Sequence, residues 1–119
     1  MEEVKIEERS GVTIIRFQRN LKFSEVVDVI KNVALQDISS RRLWDVRAGF
    51  DFNADQIRQI ATLGKSIWSD QARVAYLTDS ELAYGLIRMF EAYRDQEGYL
   101  THVFTHEDEA MDWLTAKDS

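Results

Sequence analysis

ARVAYLTD, residues 72–79, decides the fold. It is short and apolar on both faces, as a strand must be when it lies in the middle of a sheet with cover on each side. Around it, strand-like and helix-like segments alternate. Upstream, VKIEER (4–9) and GVTIIRFQR (11–19) read as two strands of a hairpin turned at Ser10-Gly11. FSEVVDVIKNVALQD (23–37) repeats Val26, Val27, Ile30, Val33 and Ala34 at helical spacing, with Ser24 as its expected N-cap. RRLWDVRA (41–48) reads as the third strand. Asn53 then caps a helix over 54–70. Downstream, Asp79 or Ser80 caps a helix over 81–96 that Gly98 stops. YLTHVFTH (99–106) is the last strand, and HEDEAMDWLTAK (106–117) a short terminal helix with acidic residues in its first turn, followed by a fraying tail. The order β-β-α-β-α-β-α-β-α predicts a single α/β domain over 1–119 with a mainly parallel five-stranded sheet.

Side-chain alternation predicts how the helices are distributed. Trp44, Val46 and Ala48 share one face of the third strand, and Leu43, Asp45 and Arg47 the other. The second strand divides into Thr13, Ile15 and Phe17 against Val12, Ile14 and Arg16. One face is strongly apolar and the other mixed, so the helices are expected mostly on one face. Asp45, Arg47 and Arg16 then fall on the thinly covered one, free to pair with each other or with a partner.

Composition narrows the function. The 119 residues suit one domain with a core of its own, at 45% hydrophobic and 30% charged content. No cysteine is present, which excludes disulfides, thiolate metal sites and a cysteine nucleophile. A net charge of −6 with dispersed basic residues argues against nucleic acid as a partner. No stretch has the roughly 20 apolar residues of a membrane span, and the acidic N-terminus is unlike a signal peptide, so a cytoplasmic protein is expected.

No motif carries catalytic chemistry. His102 and His106, the two histidines, lie too far apart on an extended chain to share a metal. No serine sits in a nucleophile elbow, and the five glycines are too dispersed for a phosphate loop. Asp45, Asp51, Asp55 and Asp79 lie near strand ends and read as caps and loop acids. Arg47, Phe50, Phe52, Tyr84 and Arg88 gather near the edge where such sheets bind ligands, and could clasp a small anionic or amphipathic molecule. The helix over 81–96 is apolar around more than one stripe. Met89 and Phe90, beside Tyr84 and Arg88, are its candidate partner surface.

LWDVRAGF, RVAYLTD, YGLIRMFE and HVFTHEDEAMDWL together resemble the SpoIIAA-like (STAS/Sec14-like) family of small bacterial proteins, over nearly the whole chain. The resemblance implies a STAS-like domain related to anti-sigma-factor antagonists. Those proteins carry a phosphorylatable serine in the loop that corresponds to AGFDFNAD (48–55). This loop has no serine or threonine, so phosphorylation there is not expected. The expected function is a non-enzymatic interaction or regulatory module without a cofactor, forming a homodimer or binding another protein. Its expected surface comprises Asp45, Arg47, Phe50, Tyr84, Arg88, Met89 and Phe90. The Sec14-like link implies the alternative, a small, partly apolar ligand held by the 48–53 loop with Tyr84, Arg88 and Met89.

Overall fold

A computed structural model describes residues 3–68 and 71–117. Strands β1 (Val4–Arg9) and β2 (Val12–Phe17) form the expected hairpin, turned through positive φ at Ser10 (55°) and Gly11 (77°). Two consecutive residues with positive φ match the right-handed strand twist, which is why Ser-Gly serves there. Helices α1 (Phe23–Ala34), α2 (Ala54–Ile67) and α3 (Glu81–Arg94) alternate with strands β4 (Arg41–Asp45), β6 (Ala72–Leu77) and β7 (Tyr99–Phe104), and α4 (Glu107–Thr115) closes the chain. A second, two-stranded sheet is made by β3 (Leu21–Lys22) and β5 (Phe50–Asp51). The segment 50–53, expected as a loop, thus begins as a short strand paired with Leu21–Lys22.

The main sheet is mixed, in the order β1-β2-β4-β6-β7. β1 runs antiparallel to β2, and the pairings β2–β4, β4–β6 and β6–β7 are parallel. Each parallel strand is added on the same side of the one before. Right-handed crossovers taken repeatedly in one direction place their helices on one face. The packing agrees. Ile15, Trp44, Val74, Tyr76 and Val103 meet the buried side chains of α1, α2 and α3 in the larger core. The opposite face carries a smaller core, in which Val12, Ile14, Leu43, Ala75 and Leu77 meet Ala110 and Leu114 of α4 alone. The strand order never reverses, so the crevice that a reversal opens at the strand ends of other α/β sheets does not arise.

The caps agree with the sequence in two places. Asn53 accepts from Gln56 N–H at 2.9 Å, and the Gln56 side chain accepts from Asn53 N–H in return. Ser80 accepts from Ala83 N–H at 3.2 Å. Ser24, however, is helical. The N-cap of α1 is Lys22, whose backbone N–H donates to Glu25. Pairing of Lys22 with Asp51 fixes the chain as extended up to that point, so the helix starts two residues earlier than a Ser24 cap would place it. The expected end of α2 at residues 69–70, and the fraying tail at 118–119, lie outside the described residues.

Candidate functional site

Asp45, at the end of β4, and Arg47, just beyond it, lie on the α4 side of the sheet. Arg16, Asp45, Leu77 and Phe104 form one row across the sheet, on the face that α4 covers. Arg16 donates to Asp45 at 2.8 Å and to Glu107 Oε1 at 2.6 Å. Arg47 curls back to donate to Asp45 from its backbone N–H, its Nε and its Nη2, and reaches Glu107 at 3.1 Å. Arg9 adds a bond to Glu107 at 3.0 Å, and Glu7 accepts from Arg16 at 3.3 Å. Three guanidiniums thus converge on the first residue of α4. Hydrogen bonding by Arg16, above all, pulls the Glu107 carboxyl down to about 2. Burial opposes ionisation of Asp45, but the bonds from Arg47 and Arg16 outweigh it and hold the carboxyl below its usual range. The cluster satisfies itself. Arg41 and Arg73 hold the other end of α4, donating to the carbonyls of Leu114, Ala116 and Trp113. Glu107 escaped the sequence reading because an acid in the first turn of a helix is ordinary, and nothing local signals a partner 91 residues away.

On the other face lies a cavity of about 80 Å³, between the sheet and α1, α2 and α3. Its walls are almost wholly apolar. The sheet contributes Trp44 and Tyr76, the β5 segment Phe50 and Phe52, and the helices Ile60 and Phe90. The aromatics are interlocked: Phe50 stacks on Phe52 at 4.6 Å, Trp44 meets Trp68 edge-on at 6.1 Å, and Tyr76 meets Phe90 edge-on at 5.3 Å. Burial pushes the Tyr76 phenol well above its ordinary value, which keeps this wall neutral. Rings this large and rigid cannot close every gap among themselves, and the pairing of Leu21 with Phe50 in the β3–β5 sheet fixes the backbone from which Phe50 reaches the lining.

One charged side chain enters the lining. Arg94 is 1% exposed at the end of α3. It donates to the Gly64 and Trp68 carbonyls at the end of α2 and to Gln96, and lies on Tyr99 with its guanidinium carbon 3.6 Å from the ring centroid. Arg42, 2% exposed, sits over Trp68 and Tyr99 nearby. Neither is among the expected site residues. For Arg42 a signal existed, since strand alternation puts it on the apolar face with Trp44 and Val46.

The candidate surface therefore divides in three. Phe50 and Phe90 line the cavity. Asp45 and Arg47 belong to the charge cluster on the opposite face of the sheet. Tyr84, Arg88 and Met89 lie on α3 but do not line the cavity, a correction to the expected pocket, to which α3 instead contributes Ile87, Phe90 and Arg94. Of the three, Tyr84 is 39% exposed, and exposed Arg88 pairs with Glu91 at 3.3 Å. Leu82 is exposed too, and only Ile87 and Arg94 of α3 are fully buried. The described residues contain no cluster of three or more metal-ligating side chains, and none of their helices is long and apolar enough to cross a membrane. No family, curated protein or solved structure matches the chain.

Proposed function

We propose that this protein is a non-enzymatic binding module of the STAS/Sec14-like kind that takes up the apolar end of a small, partly apolar ligand beneath its helical layer. The observation that carries this reading is the aromatic cavity beside Phe50 and Phe52. Its size sharpens the ligand class. A dry cavity of about 150 Å³ holds a benzene ring. A cavity of about 80 Å³ suits something slimmer, such as the tip of an aliphatic chain, with the polar remainder at the rim. The resemblance of LWDVRAGF and HVFTHEDEAMDWL to the STAS/Sec14-like family supports the same reading.

Native mass spectrometry of gently purified protein, followed by titration with octanoate, decanoate and indole, tests it. Trp44 and Trp68 line the cavity, so binding must change tryptophan emission. A saturable change with decanoate, weakened by Ile30→Phe, supports the assignment. A silent titration together with no co-purified mass counts against it.

A second reading is a protein-interaction module acting through α3. Exposed Leu82 and Tyr93, with half-buried Leu86 and Met89, recur at helical spacing along one side of that helix and favour it. Loss of a partner on Leu82→Glu, with ligand binding intact, would separate the two readings.

A further inference from the structure

The two edges of the main sheet are built differently. β1, at one edge, reads VKIEER and carries Lys5, Glu7, Glu8 and Arg9. Charges of this kind are how edge strands ordinarily repel pairing with other chains. β7, at the other edge, reads YLTHVF, six residues with no Lys, Arg, Asp, Glu, Pro or Gly. No strand among the described residues pairs with its outer side.

The direction of its backbone groups follows from the bonds to β6. Thr78 N–H donates to the Phe104 carbonyl, and Ala72 N–H to the Gly98 carbonyl. Even-numbered residues therefore face β6, and Thr101 and Val103 turn their N–H and C=O groups outward. Leu100 is 53% exposed beside this edge, on the α4 face with His102 and Phe104.

The geometry points to an interface between two copies of this chain, in which the β7 edges pair antiparallel about a two-fold axis at His102 and make one continuous sheet. In that register Thr101 of one copy exchanges both its backbone bonds with Val103 of the second copy, and the reverse pair does the same. Leu100 lies opposite Phe104 of the second copy, so the exposed apolar side chain is covered by an aromatic one. No formal charge lies within the pairing segment, so two chains of net charge −6 meet at the edge where like charges are not placed opposite one another. Main-chain bonds supply the affinity, as in strand addition generally.

Sedimentation over a concentration series tests this with wild type, Thr101→Pro and Leu100→Lys. Proline at position 101 removes an outward N–H and leaves the bonds to β6 intact. Lysine at position 100 puts a charge against Phe104 of the second copy. The expected result is a wild-type dimer whose dissociation constant rises roughly tenfold or more in each variant, with unchanged far-ultraviolet circular dichroism. If Thr101→Pro fails to fold, Leu100→Lys decides. A wild type that stays monomeric overturns the proposal, and so does a dimer that the folded variants leave as tight as before.

Discussion

Arg16 and Glu107 are joined by bonds of 2.6 and 2.9 Å although 91 positions separate them. This contact fastens the start of α4 to β2. Apolar contact in the smaller core rests on few side chains of α4, so polar attachment carries more of its docking than in the other helices.

Glu107→Gln is expected to lower stability by about 1 kcal/mol at neutral pH. The figure is kept low because the side chain is partly solvated. The pH dependence has a definite sign. The Glu107 carboxyl sits at about 2 in the folded chain against an ordinary 4.5. Its contribution is complete above about pH 4.5 and is lost as pH falls toward 2. Asp45 and Glu7, also held below their usual range, act in the same direction. Thermal melts of wild type and Glu107→Gln should differ at pH 7 and draw together only as pH falls from about 4.5 toward 2. A gap that widens with acid would contradict this assignment.

Two helical glycines should respond oppositely to alanine. A Cβ on Gly64 would stand 3.2 Å from Arg94 Nε, and Arg94 is pinned by three acceptors and by Tyr99. Gly64→Ala therefore loses more by crowding than it gains in helix propensity, a net cost of about 1 kcal/mol. Gly85 meets nothing within 4 Å, so Gly85→Ala should gain about 0.5–1 kcal/mol. Urea midpoints moving in opposite directions are the readout.

The caps make a similar contrast. Asn53→Ala and Ser80→Ala should each cost about 1 kcal/mol, because each removes the acceptor for a helix N–H. Ser24→Ala should stay within about 0.5 kcal/mol, since Ser24 is exposed and already inside the helix. A large loss for Ser24→Ala in the same urea titration would show that the helix begins at Ser24 after all.

Filling the cavity should stabilise the empty chain. Val46→Ile adds one methylene at the lining and is expected to gain up to about 0.8 kcal/mol. The same change should weaken the tryptophan response to decanoate. Stability that rises while the response is untouched would separate the void from the ligand site.

Strand and helix positions were legible in the sequence because each main element is long enough for its period to show, as in ARVAYL and ADQIRQIATLGKSI. The two-residue strands β3 and β5 were not, since Leu21-Lys22 and Phe50-Asp51 are too short to carry a period. The mixed face of the sheet was read correctly from Asp45 and Arg47, but its occupant was not, because the Glu107 contact is long-range. The candidate site was half legible. Phe50, expected at the pocket, lines the cavity, and so does Phe90, expected on the partner surface; Tyr84, Arg88 and Met89 were expected there from the Sec14-like resemblance, which does not fix the tilt of this helix against the sheet.

The strand order also bears on how the chain finds its fold. β2, β4, β6 and β7 are laid down side by side in the order of the sequence, and β1 pairs with its immediate neighbour in the chain. No strand has to enter between two that are already paired. Each step closes only the loop formed by one crossover, which keeps the entropy of loop closure small for a sheet with parallel pairings. The one long return is that of α4 to β2. Docking of α4 is therefore the step expected to come last, after the larger core has formed.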